Sequence, residues 1–449
     1  MFEDTRSARR AATLATLGGL TLVAIVGIVG YSTRTDRELQ AAAALGAAFV
    51  VLMSIRWPLV PLFALVVLIP IEEAVVLGDI GSLSRYAEIL FIVAYGLPRL
   101  GRLTIRAIPL PGWAYVAWAI FSVTWAIDPT ASWVLITPLL LLSLMALMTA
   151  AAVVERPAIV RPLLWTYSLS ASATAVVGIH SFATSGGLGD RSAAIANQNP
   201  AFFAAILLPA FVFGLNEMLH GRRLFLSGSI TLVTALAILA SGTRGAWVSV
   251  AVVIVVFILP RLPAARRVVA SAAIVVALLI TLQLPGVANF VGDRADTAIS
   301  TGGAGRADIW TVGIGIGVDH PVTGVGLANF AIAVTPERIR DTTAAGPDAA
   351  GIANFAAHNI VIGTFGELGI IGLVLLTAFV LPLILRSGWG PNAVVVQASL
   401  ASIFVLALFL DVMNRKEVWL FIGLACGLAY LARHGGPIAR RPRSMPAGA

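Results

Sequence analysis

The chain has one cysteine, one lysine and few charged residues of any kind. With Cys426 as the only thiol, no intrachain disulfide can form, and cysteine usage leaves the redox compartment unread. Charged residues make up 12% of the 449, too few to coat a soluble globule of that length, while 59% are hydrophobic. Mean hydropathy is +0.94, which places the chain among polytopic membrane proteins. The segments expected outside the membrane show no metal-ligand spacing of His, Cys, Asp or Glu, so we expect neither a metal nor another cofactor. Internal repeats and a separate soluble domain are also missing. The net charge of +8 lies beside apolar runs, where arginine sets topology, and this argues against a nucleic-acid partner.

What the chain does have is long apolar segments. A spanning helix needs roughly 20 predominantly apolar residues. Fourteen candidate runs meet or approach this: 11–31, 39–55, 57–75, 86–100, 112–127, 132–153, 160–183, 199–217, 224–241, 244–259, 267–283, 357–385, 392–411 and 416–432. The first run follows Arg6, Arg9 and Arg10 in the manner of a signal peptide, but it is long enough to span and many spans come after it. The expected fold is an all-α transmembrane bundle of about 12 to 14 helices. We divide it into N-terminal helices (1–283), one long outer loop (284–356), and C-terminal helices with a basic tail (357–449). With both termini cytoplasmic, 19 of the 30 basic residues fall inside, as the positive-inside rule requires.

The basic residues left outside need another explanation. Arg244 sits between two apolar runs in SGTRGAW, and an arginine at mid-membrane costs about 2.5 to 3.5 kcal/mol, so we read this segment as a tight outer turn. Arg191 lies in GLGDRSAAIANQNP, where Asn199 and Pro200 are poised to open a helix. Arg306 lies in GRADIW, one helical turn before Trp310, and the two would share a face. His358 follows the loop in AAHNIVIG, while Arg415 and Lys416 precede the last helix. Arginine's planar fork suits phosphate oxygens, and imidazole suits proton transfer near neutral pH. Together they fit a phosphate-linked substrate held at the outer leaflet. Each residue also has a plainer reading: a snorkelling turn cation for Arg244, a hydrated loop charge for Arg306, a helix cap for Asn199, and a helix-end anchor for Arg415 and Lys416. Glu367 is an acid inside an apolar run, about 13 Å beyond His358 along an ideal helix and on nearly the opposite face; Glu88 is a weaker acid of the same kind.

Four motifs carry a family resemblance: SGTRGAW, GRADIW followed by HPVTGVGLANF, AHN, and ELGIIGL. In that order around one outer loop they resemble the O-antigen ligase and polymerase family. WAIDP at 125–129 and IANQNP at 195–200 are similar to upstream patterns there. The resemblance implies a GT-C-like glycosyltransferase of the bacterial cytoplasmic membrane, acting without a metal at the outer face. Its donor would be a glycan on undecaprenyl diphosphate, and its acceptor a glycolipid, a second glycan or a protein. It implies Arg244, Arg306 and His358 as the active site, with Arg191 as a further carry-over; by their place at the outer face, Asn199, Arg415 and Lys416 are added as candidates for holding diphosphate or glycan. It leaves ligase and polymerase open. A lipid-linked glycan transporter or flippase is the reading from another class, and the scarcity of midplane charges and the lack of an obvious repeat weigh against it.

Overall fold

The computed structural model describes residues 46, 49–74, 82–101, 103–184, 199–282, 292, 306–342, 356–386 and 388–436. The expected spans at 11–31 and most of 39–55, together with Arg191, Asn197 and Gln198, lie outside the described residues. The protein is an all-α multi-pass membrane bundle, with no sheet among the described residues. Its helices are α1 (Val60–Leu68), α2 (Leu83–Phe91), α3 (Leu110–Phe121), α4 (Pro129–Glu155), α5 (Val160–Thr184), α6 (Pro200–Leu219), α7 (Leu224–Ala240) and α8 (Arg244–Val252). They continue as α9 (Ala264–Leu282), α10 (Arg306–Asp319), α11 (Phe330–Ala333), α12 (Pro336–Thr342), α13 (Ile360–Leu385), α14 (Ala393–Leu406) and α15 (Lys416–Arg433). By length and composition five stretches among the described residues can cross a membrane: Pro129–Glu155, Pro157–Thr184, Pro200–Leu219, Arg244–Arg261 and Ile360–Leu385.

Three details differ from the apolar runs. The run at 86–100 is α-helical only to Phe91 and then loosens into a π turn at Ile92–Gly96. The described part of the long loop is not irregular, since it carries α10, α11 and α12. The helix expected from residue 357 starts instead at Ile360, because Asn359 caps it and leaves His358 outside.

The bundle is built around α15. Nearly every residue from Glu417 to Leu428 is buried, as expected of a helix apolar on all sides. Its largest contact is with α4, and two glycines make that contact close. A Cβ at Gly423 would lie 2.7 Å from the Ala146 carbonyl, and one at Gly427 would lie 2.7 Å from the Val153 Cβ. This is the small-xxx-small packing that membrane helices use where lipid offers no hydrophobic drive for association. Replacing Gly427 with leucine should therefore separate α4 from α15 and destabilise the fold by about 1 to 3 kcal/mol or more. Heating in detergent followed by size exclusion would read this as an earlier loss of the monodisperse peak; an unchanged midpoint would contradict the close packing.

Candidate active site

The site end of the bundle is organised by a break in α13. Gly369, inside the helix, has φ 64° and ψ −167°, a region essentially reserved for glycine. The break frees carbonyls that a continuous helix would satisfy internally, and in a membrane each needs a donor. The donors come from HPVTGVGLANF and from α3. Val325 N donates to the Gly366 carbonyl at 2.9 Å, Gly326 N to that of Glu367 at 2.8 Å, and the Trp118 indole to that of Leu368 at 2.9 Å. Gly324 and Gly326 both have positive φ, and a Cβ at Gly324 would lie 2.3 Å from the Glu367 carbonyl carbon. Glycine at these positions thus permits backbone to lie on backbone. A Cβ at Gly369 would meet the Val322 carbonyl oxygen at 2.2 Å, so Gly369→Ala should unlatch the segment. We expect faster limited proteolysis between residues 320 and 329, with overall helicity retained.

WAIDP belongs to the same framework. The Asp128 side chain caps α4 by accepting from Thr130 N at 2.8 Å. Asn329, fully buried, accepts from Asp128 N at 2.6 Å and donates to Ser132 Oγ at 2.9 Å and the Leu327 carbonyl at 2.8 Å. These two motifs build the scaffold and leave the chemistry to others.

In SGTRGAW most residues have a structural task. Gly242 takes φ 60° at the end of α7, and a Cβ at Gly245 would lie 2.8 Å from the Phe409 ring, which fixes α8 against the turn at 407–415. The Trp247 indole donates back to the Ile238 carbonyl at 3.4 Å. The half-buried Arg244 is the first residue of α8, whose first turn has no acidic side chain and no side-chain cap. A helix N-terminus favours an anion, so a cation there is an unusual choice for stability alone. Arg306 is the first residue of α10, and one turn later the Trp310 indole donates to the Ala357 carbonyl at 3.1 Å. That bond ties the arginine's helix to the residue preceding His358. His358 has φ 47°, a left-handed conformation that costs an ordinary residue about 1 to 3 kcal/mol. Asn359 then caps α13, accepting from Val361 N at 2.9 Å and Ile362 N at 3.1 Å.

These side chains act on one another electrostatically. Burial lowers the Arg306 guanidinium's hold on its proton, and the Arg244 cation lowers it further, although a guanidinium at 306 stays charged. Burial holds the His358 imidazole below the ordinary value of 6.5; the Arg306 cation adds to this, and Asp411 opposes it. Burial raises the Asp411 carboxyl above its ordinary value, against the pull of the Met413 N–H and of His358. Electrostatic influence thus runs from Arg244 to Arg306, from Arg306 to His358, and between His358 and Asp411, linking α8, α10, the residues before α13 and the turn at 407–415. Asp411, in ALFLDVM, escaped the sequence reading. The available signal was the one that marked Arg244, a charge closing an apolar run.

A cavity of about 240 Å³ adjoins this set. Ala357 and Asn359 line it on either side of His358, Asp411 and Glu367 supply carboxylates, and Leu135, Pro138 and Leu139 of α4 form an apolar wall. Glu367 is held in place by the Phe330 N–H at 3.3 Å. It stands two residues before the break, on a helix that is continuous from Ile360; only His358, outside that helix with φ 47°, departs from the ideal-helix estimate of their separation.

The remaining candidates have partners. The Asn199 side chain caps α6, accepting from Ala201 N at 2.9 Å. Arg415 pairs with Glu73 at 3.1 Å and Glu417 at 3.3 Å, and Lys416 pairs with Glu72, so a phosphate at either cation would compete with carboxylates. No cluster of His, Cys, Asp or Glu able to hold a metal occurs among the described residues.

Residues 229–377 match the O-antigen ligase family model. The matched region runs from α7 into α13 and holds Arg244, Arg306, His358 and the α13 break, apart from its Trp118 donor. Asp411 and the WAIDP cap lie outside it. No curated protein matches the chain. The match supports a membrane enzyme of O-antigen ligase type at the level of the family.

Proposed function

We propose that the protein is a membrane glycosyltransferase that moves a glycan from undecaprenyl diphosphate to an acceptor hydroxyl at the outer face of the cytoplasmic membrane. What supports this reading is the electrostatic influence of Arg244 on Arg306 and of Arg306 on His358, all three within the matched region, together with a cavity lined by Asp411 and by Ala357 and Asn359, the chain neighbours of His358. A diphosphate lying between Arg244 and Arg306 would offset the repulsion of these like charges and accept paired hydrogen bonds from both. In the reaction the acceptor oxygen attacks the anomeric carbon as the bond from that carbon to the phosphate oxygen breaks. The electron pair leaves with the diphosphate, where both guanidinium groups stabilise the growing charge. The acceptor proton passes to the neutral imidazole of His358, and single displacement inverts the anomeric centre. Asp411 faces the resulting imidazolium and orients the ring. Asn199, Arg415 and Lys416 serve this site by positioning: the first starts α6, and the other two brace the turn that carries Asp411.

Reconstitution in vesicles with a lipid-linked glycan tests the reading. Release of undecaprenyl diphosphate should require an acceptor, and offering lipid A core, a second lipid-linked glycan or a protein separately would assign the acceptor. Glycan crossing the bilayer with its diphosphate bond intact would instead mark a transporter.

A further inference from the structure

The end of the bundle opposite His358 holds a second cavity, of about 730 Å³, within the ~300 to 1,000 Å³ range of ordinary ligand pockets. Trp113 of α3, Phe379 and Leu383 of α13 and Ala432 of α15 give it apolar walls, and Arg106, Arg386 and Arg433 stand among the lining residues. Three other arginines at this end have acid partners: Arg99 pairs with Glu155 at 3.2 Å, and Arg161 and Arg222 with Glu217 at 2.5 and 3.3 Å. No carboxylate lines the cavity, and among the described residues none pairs with Arg106, Arg386 or Arg433. Two of the three sit at helix C-termini, which accounts for a cation at each place but not for three around one apolar hollow. Pro382, with no N–H to donate, also releases the Ala378 carbonyl toward the same cavity.

We propose that this cavity binds an anionic phospholipid of the cytoplasmic leaflet, its phosphate held by Arg106, Arg386 and Arg433 and an acyl chain lying along Phe379 and Leu383. Charge complementarity selects this occupant. Residues 437–449 of the chain itself carry Arg440, Arg441 and Arg443 with no Asp or Glu, the same sign as the lining arginines. The arginine distribution places this end at the cytoplasmic surface, where basic pockets between helices suit acidic headgroups.

Native mass spectrometry of the full chain, delipidated in detergent, provides the test. The probes are phosphatidylglycerol, phosphatidylcholine and glycerol phosphate. Phosphatidylglycerol should bind at least about tenfold more tightly than phosphatidylcholine, since an arginine near the surface is worth about fivefold. Arg106→Gln, Arg386→Gln and Arg433→Gln combined should bring the two lipids to parity. Ala378→Phe fills the hollow without altering charge, and it should reduce binding of both. Parity in the unmodified protein, or a preference that survives the triple substitution, would overturn the proposal. So would displacement of the lipid by equimolar glycerol phosphate, which would mean a free-anion site. Photoreactive phosphatidylglycerol should label peptides containing Ala378 or Ala432; labelling elsewhere would mean that another segment, such as residues 1–45, fills the cavity. The readout is lipid binding, so its failure leaves the proposed reaction untouched.

Discussion

Replacing His358 with alanine should lower glycan transfer by about 10² to 10⁴-fold, the usual contribution of a positioned general base. Donor binding should remain, because the diphosphate is assigned to Arg244 and Arg306. Stopped single-turnover assays with pre-bound lipid-linked glycan would separate the two effects. The pH profile gives an independent check. Burial and Arg306 hold the imidazole below 6.5, so the neutral base is the prevailing form at neutral pH. The rate should rise with pH through a value below the ordinary histidine range and then level off. Asp411 favours the imidazolium, so Asp411→Asn should move the acid limb to still lower pH. A limb that stays in place, or a His358→Ala protein of normal rate, would remove His358 from this role.

The second large effect is expected at the arginines. Arg306→Gln should cost about 10² to 10³-fold in turnover, the loss typical of one donor aimed at a developing anion. Lysine at 306 should rescue little, because a point charge cannot reproduce a planar two-pronged grip. Arg244→Gln should behave alike. The double substitution should cost less than the product of the single losses, since both groups hold one leaving group. Strict additivity would indicate separate sites. Transfer within threefold of normal in either single variant would rule that residue out as a diphosphate clamp.

Much of this architecture was legible because a membrane imposes one rule on long apolar runs. The runs at 132–153, 160–183, 199–217 and 224–241 match α4, α5, α6 and α7 to within a few residues at each end. Arg244 was legible for the complementary reason, that a permanent cation beside two apolar helices demands a purpose. The α13 break was not legible, because LGIIGL after Glu367 reads as ordinary apolar helix and only donors more than 40 residues away make Gly369 a joint. The ion pairs of Arg415 and Lys416 were missed for the same reason: Glu72 and Glu73 lie more than 340 residues earlier in the chain. Asp411 gained meaning only when the turn at 407–415 was seen against Gly245 and His358.

The joint at Gly369 also bears on how this protein can be taken apart. The part of α13 before Gly369 is bonded to the 320–329 segment and to α3, so it belongs by its bonds to the head formed by that segment, although by hydropathy it is ordinary bilayer helix. The seam between head and trunk thus falls midway along a single helix. A chimera joined at Ile360 would cut through the head, whereas one joined just after Gly369 would carry it across whole.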